Sequence, residues 1–189
     1  GSYSTYYQEP DAGPAVHIAR LGDNSPEILV RTIEPGRRYR VSYGSIPDRP
    51  VLFRGAEMSA YALALAARRR GVMAHGCGVV LPGGEVALCV GMSGAGKSTL
   101  ARMMRSLDGC RVLNDDRIVL TREDRGVHAW TTPWPGSAGI AELGDGPLGV
   151  LAVIARGEVP TVRRLTAREA LPRLLQTILV PAWDGDAAG

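Results

Sequence analysis

Residues 91–99 read Gly-Met-Ser-Gly-Ala-Gly-Lys-Ser-Thr, which satisfies the spacing G-x-x-x-x-G-K-[ST] from Gly91 to Ser98. Glycines at 91, 94 and 96 let the backbone turn tightly, so that successive N–H groups converge on one concavity and bind phosphate oxygens near a helix N-terminus. Lys97 is expected to reach the β- and γ-phosphates as a point charge, and the Ser98 hydroxyl to ligate Mg²⁺. Asp115 and Asp116 follow seventeen and eighteen residues after Ser98. Adjacent carboxylates need not share a role: one can hold Mg²⁺, directly or through water, while the other accepts the proton of an incoming hydroxyl. His75 lies ahead of the strand that feeds the glycine-rich loop. Taken alone, a single His is more often a structural hydrogen-bonding residue, the reading that His17 and His128 keep.

The elements around these residues must bring them together. Residues 1–26 are rich in Gly, Pro, Ser and Asp and read as a loose lead-in, with 27–189 as a single domain. Segments 27–33 and 38–43, separated by Glu34-Pro35-Gly36, read as a hairpin, and 56–70, dominated by Ala and Leu, as a helix. A second hairpin, 77–81 and 85–90, turns at Pro82-Gly83-Gly84 and leads into the loop. Beyond it the pattern predicts a helix over 98–107 and strands over 110–113, 118–121 and 127–130. In a strand–loop–helix–strand unit the ends of the two strands lie side by side, which is expected to face Asp115 and Asp116 toward the loop. Segment 131–149 is too broken by Pro and Gly for regular structure, and its length suggests a functional loop. Strands over 150–154 and 161–165 and a helix over 167–179, interrupted by Pro172, complete the chain. The fold class is α/β, and the hairpins argue for a mixed rather than an all-parallel sheet.

Composition mostly excludes. With 189 residues, 45% apolar and 22% charged, the chain can build a real core. The net charge of +3 is spread over scattered arginines and gives no dense basic stripe for nucleic acid. Arg68-Arg69-Arg70 complements the end of the Ala-rich helix. No apolar run approaches the ~18 residues of a membrane span, and no secretory pattern opens the chain, so the expected setting is the cytoplasm. Cys77, Cys89 and Cys110 lack a C-x-x-C spacing and read as small apolar residues. Of the 22 Lys and Arg residues, Lys97 is the only lysine, leaving 21 arginines. Base composition of the gene accounts for the arginines; the surviving lysine stands where a planar guanidinium cannot replace a compact ammonium.

The set Met73-Ala74-His75-Gly76, residues 91–99, and Leu113-Asn114-Asp115-Asp116 resembles the HPr kinase/phosphorylase family, in order and nearly in spacing, over roughly residues 70–180. The resemblance implies a P-loop fold of the type shared with phosphoenolpyruvate carboxykinases, with β-hairpins ahead of the loop. It also implies ATP- and Mg²⁺-dependent phosphorylation of a serine hydroxyl on a peptide or protein. Gly91, Ser93, Gly94, Ala95, Gly96, Lys97, Ser98 and Thr99 are then the nucleotide-binding residues; Ser98, Asp115 and Asp116 the metal ligands; and His75, Lys97, Asp115 and Asp116 the catalytic group. Asp116 matches the family's general base and His75 its active-site histidine, and homo-oligomerisation is a further implication.

The departures shape the expectation. The glutamate motif that helps hold the family's metal has no counterpart; Thr131-Thr132-Pro133-Trp134-Pro135-Gly136 stands in its place, with Glu142 nearby. Segments tied to dephosphorylation are not recognisable, so no phosphorylase activity is expected. The Thr-Pro-Trp-Pro-Gly stretch looks more like HPr-kinase-related proteins that modify ribosomally made peptides, including lasso-peptide precursors. Trp130 and Trp134 are candidates for an acceptor wall. The Gly/Ala/Asp tail after Trp183 reads as an early stop, with a C-terminal portion of the fold expected beyond it. Two other functions compete: a nucleotide-binding regulatory module without transferase activity, and a small-molecule kinase acting on free serine.

Overall fold

A computed structural model describes residues 2–9, 13–20, 28–34, 37–43 and 56–179, which fall into two compact units, one reaching Arg70 and the other spanning Gly71–Leu179. In the first, β1 (Ser2–Glu9), β2 (Gly13–Arg20), β3 (Ile28–Glu34) and β4 (Arg38–Tyr43) pair antiparallel in chain order. Helix α1 (Ala56–Ala67) packs against β3 and β4, with Val30, Ala62 and Leu63 buried. The loose lead-in expected over 1–26 thus contains two paired strands, and 27–189 divides between two units. The Gly, Pro and Asp content had masked the Tyr, Thr, Val and Ile residues that suit a pleated surface.

The second unit carries every candidate site residue. Its elements are β5 (Gly71–Val80), β6 (Val86–Val90), α2 (Lys97–Arg105), β7 (Arg111–Asn114), β8 (Arg117–Glu123), β9 (Gly126–Thr131), β10 (Asp145–Val153) and α3 (Ala167–Leu175). Strand β6 pairs in parallel with β10 and antiparallel with β5, and antiparallel pairings β10–β9, β9–β8 and β8–β5 complete a ring. The result is an α/β unit whose mixed sheet forms a small barrel. Alternation sorts the side chains: Ala74, Val86, Leu88, Val90, Ile118, Leu120 and Ala129 cluster in the interior. Cys77, Val79, Cys89 and Val112 cluster instead with Ala101 of α2. Gly78 falls at an inward position, where a Cβ would stand 2.5 Å from Ile118 Cδ1, so the lack of a side chain makes room for the bulky one on the adjacent strand β8.

Several local expectations shift. Strands β6 and β7 do not lie side by side, because β5 stands between them and pairs with both. The expected strand over 161–165 does not form: Val162 is fully exposed, and a strand without an edge to pair with has nowhere to place its hydrogen bonds. The broken segment gives residues 145–149 to β10. Helix α3 stops at Leu175, opens on a capping box between Thr166 and Glu169, and carries Pro172 inside it. Beyond α3, the chain returns to β5: Thr177 O accepts the His75 N–H at 2.7 Å, and the Leu179 N–H donates to Met73 O at 2.8 Å. Among the described residues no helix is long and apolar enough to cross a membrane.

Candidate functional site

Strand β6 is buried along its whole length and delivers Gly91 against the end of β10, where a Cβ would stand 2.6 Å from Ile154 O. Close approach there requires glycine. The loop then turns through Gly94 at φ 77° and Gly96 at φ 108°, both in the left-handed region. Gly96 is the N-cap of α2; no side chain caps the helix, and no acidic residue lies in its first turn. The free N–H groups and the positive end of the helix dipole are therefore available to an anion.

Lys97 is buried, and its Nζ donates to Gly91 O at 2.8 Å and Met92 O at 3.1 Å, closing the loop on itself. Burial lowers its pKa; the Asp116 carboxylate opposes that shift and the Arg117 guanidinium adds to it. Arg156 braces the loop from outside, its Nε donating to Gly94 O at 2.9 Å. A cavity of about 380 Å³ opens beside the loop, between Met92, Ile154 and Arg156 on one side and Arg173, Gln176 and Thr177 on the other. Ser93 and Thr99 are exposed and Ala95 is half-buried.

Asn114 explains how two adjacent aspartates acquire different surroundings. It is fully buried, and its Oδ1 accepts the N–H groups of Asp116 at 2.8 Å and Arg117 at 2.9 Å, while its Nδ2 donates to Thr132 O at 2.8 Å. The turn it makes lies beside β5, whose Gly76 N–H donates to Asp116 O at 3.0 Å. Asp116 meets His75 Nε2 at 2.9 Å and Arg117 Nη1 at 3.1 Å, both through Oδ1. Burial acts to raise the Asp116 pKa, but the His75 hydrogen bond and the charges of Arg117, His75 and Lys97 outweigh it and hold the carboxyl below its ordinary value.

Asp115 turns elsewhere, away from the role expected of a carboxylate pair at the phosphates. Its side chain is buried and accepts three backbone N–H groups: Gly136 at 2.8 Å and Ile140 at 3.2 Å on Oδ1, and Ala138 at 2.7 Å on Oδ2. Part of the expected functional loop is thereby fastened beside the turn. Gly136 comes so close that a Cβ would stand 2.7 Å from Asp115 Oδ2 and 2.8 Å from Asp116 Cβ. Gly136→Ala is expected to destabilise the protein by about 1–3 kcal/mol through this overpacking. Urea titration read by tryptophan fluorescence measures it.

The same loop brings Ser137 to the glycine-rich turn, its Oγ donating to Ser98 Oγ at 3.0 Å. The adjacent hydroxyl oxygens of Ser98 and Ser137 are hard donors of the kind Mg²⁺ takes, so these residues fit that ion in company with phosphate oxygens. Among the described residues no group of three or more His, Cys, Asp or Glu side chains forms a metal cluster. Of the two tryptophans, Trp134 is buried and does not present a wall, whereas Trp130 is exposed, donates to Thr121 Oγ1 at 2.8 Å and leans on His128 at 4.8 Å between ring centroids. Sequence reasoning missed Arg117, Ser137 and Arg156. No motif marks them: Arg117 directly follows Asp116 and turns back onto it, while Ser137 and Arg156 reach the site only as the chain folds back. No family model, curated protein or solved structure matches the chain.

Proposed function

We propose that the chain is an ATP-dependent, HPr-kinase-like enzyme with a P-loop fold of that type, transferring the γ-phosphate to a serine hydroxyl of a peptide or protein. The observation that carries this reading is the Asp116–His75 pair: an ionised carboxylate held by a histidine, close enough to Lys97 of the glycine-rich loop for the two charges to influence each other. The resemblance of the His75, 91–99 and Asp115-Asp116 set to the family supports it as well.

In the proposed reaction the loop N–H groups and the α2 N-terminus take the triphosphate oxygens. Lys97 exchanges its carbonyl partners for the β- and γ-phosphates. His75 and Arg117 both engage Asp116 Oδ1, which leaves Oδ2 to accept the serine proton. The serine oxygen forms a bond to the γ-phosphorus as the bond to the β–γ bridging oxygen breaks, and that oxygen departs with the electron pair on ADP. A bound Mg²⁺ would supply positive charge to offset what develops on the transferring phosphoryl group. Ser98 would hold the ion directly and Asp116 through water, so that Oδ2 stays free as the base, while Asp115 supports the loop. Free thiols at Cys77, Cys89 and Cys110 suit the proposed cytoplasmic setting.

Mass spectrometry of candidate peptides with internal or C-terminal serine, incubated with ATP and Mg²⁺, tests the reading through phosphate gained on serine. ATP binding without a product on any acceptor would support the regulatory module instead, and phosphoserine formed from the free amino acid the small-molecule kinase. Because the Asp116 carboxyl is held below its ordinary value, the base form persists as pH falls through the usual carboxylate range and is lost only at the lowered value. The acid limb of kcat/KM is therefore expected below that range. A limb within it would show that another group limits the reaction.

A further inference from the structure

We infer that Ser137 is a second hydroxyl ligand of the divalent cation accompanying the nucleotide, and that Asp115 is the positioning residue that holds it there. The inference rests on the phosphoryl-transfer reading and assigns a ligand where the family's glutamate motif is missing.

Distance is the first argument. Mg²⁺ demands near-octahedral geometry with bonds of about 2.0–2.1 Å, which sets adjacent ligand oxygens about 2.9 Å apart. Ser137 Oγ and Ser98 Oγ are 3.0 Å apart, so the pair already has the length of one octahedral edge. An ion that keeps several waters and takes phosphate oxygens needs few protein donors. Two hydroxyls beside the phosphates therefore suffice without the family's glutamate.

The second argument is how Ser137 is held. Asp115 accepts the N–H groups of the two residues flanking it, Gly136 on Oδ1 at 2.8 Å and Ala138 on Oδ2 at 2.7 Å. Asp115 is only 1% exposed, so water does not compete for this grip. A charged acceptor spanning both flanks fixes the backbone from which the hydroxyl projects, and the absence of a Cβ at Gly136 permits the approach. Ordering the loop before the ion arrives removes that cost from metal binding.

Mn²⁺ in place of Mg²⁺ provides the test, with water-proton relaxation measured on the full chain in the presence of ADP. Ser137→Ala is expected to weaken Mn²⁺ binding about tenfold while ADP affinity in EDTA stays unchanged. Ser137→Cys is expected to lose Mn²⁺ and gain Cd²⁺, with an ultraviolet thiolate-to-cadmium band absent from the parent protein. Asp115→Asn is expected to weaken Mn²⁺ binding similarly, and to add nothing further when combined with Ser137→Ala. Undiminished Mn²⁺ binding by Ser137→Ala, or no band in Ser137→Cys, overturns the ligand assignment. Additive losses overturn the positioning role. Failure of the parent protein to bind ADP with or without Mn²⁺ overturns the phosphoryl-transfer reading and this inference with it.

Discussion

Asp116→Asn is expected to lower phosphate transfer by about 10²–10⁴-fold, the range for loss of a positioned general base, with nucleotide binding largely retained. An amide has nearly the shape of the carboxylate, and its oxygen can still accept from His75 and Arg117 where Asp116 Oδ1 does now. The nitrogen that replaces Oδ2 cannot take a proton from an attacking hydroxyl. The loss of negative charge also removes the attraction that Lys97 and Arg117 feel, but the side chain is partly open to water, which screens that effect. Transfer to a serine peptide and nucleotide affinity should therefore separate: the first collapses while the second barely moves. Full transfer by the variant would sink the assignment of the base, whatever the fate of the rest of the mechanism.

Lys97→Arg is the other large effect, an expected loss of about 10²–10³-fold in kcat, comparable with removing one preorganised donor from a charged transition state. The substitution keeps the charge, so the argument is about shape and burial. Lys97 is 6% exposed, and its compact ammonium reaches two carbonyls of its own loop, Gly91 O and Met92 O. Its surroundings already disfavour the charge, through burial first and Arg117 as well. A guanidinium is larger, planar and charged at every accessible pH, and it cannot occupy that space without opening the loop. Steady-state kinetics and a nucleotide titration on the variant read the outcome. Normal values for both would mean that the single lysine among 22 cations owes its position to chance.

The glycine-rich loop was legible because its information is local. Gly91, Gly94 and Gly96 are chosen by backbone conformation and close approach, and Lys97 and Ser98 follow directly on the turn, so neighbours in sequence are neighbours in the site. The mixed sheet and most strands were legible from short apolar runs bounded by turn residues, as in β6 and β8. Residues 2–20 were misjudged because overall composition outweighed the Tyr and Val pattern of two paired strands. Segment 161–165 was misjudged for the opposite reason: Val162 and Leu165 suit a strand, but a strand exists only with a partner. The β5–β6 pairing is the expected hairpin, but closure of the ring through β6–β10 had no sequence signal, since that pairing depends on edges that meet only after folding.

The aspartates divide the two kinds of information most clearly. By itself the sequence determined that two carboxylates follow the loop at a distance suited to phosphate chemistry, and that a histidine precedes it. It left the partners of each carboxylate open, because a peptide unit can present successive side chains to different surroundings. The tertiary structure decided that: buried Asn114 sets the turn, Asp116 receives His75 and Arg117, and Asp115 fastens Gly136 and Ala138. Ser137 reaches Ser98 from 39 residues away by the same means. Such contacts are made by folding back a chain whose hydrogen bonds must all find partners in the interior, and no spacing rule contains them.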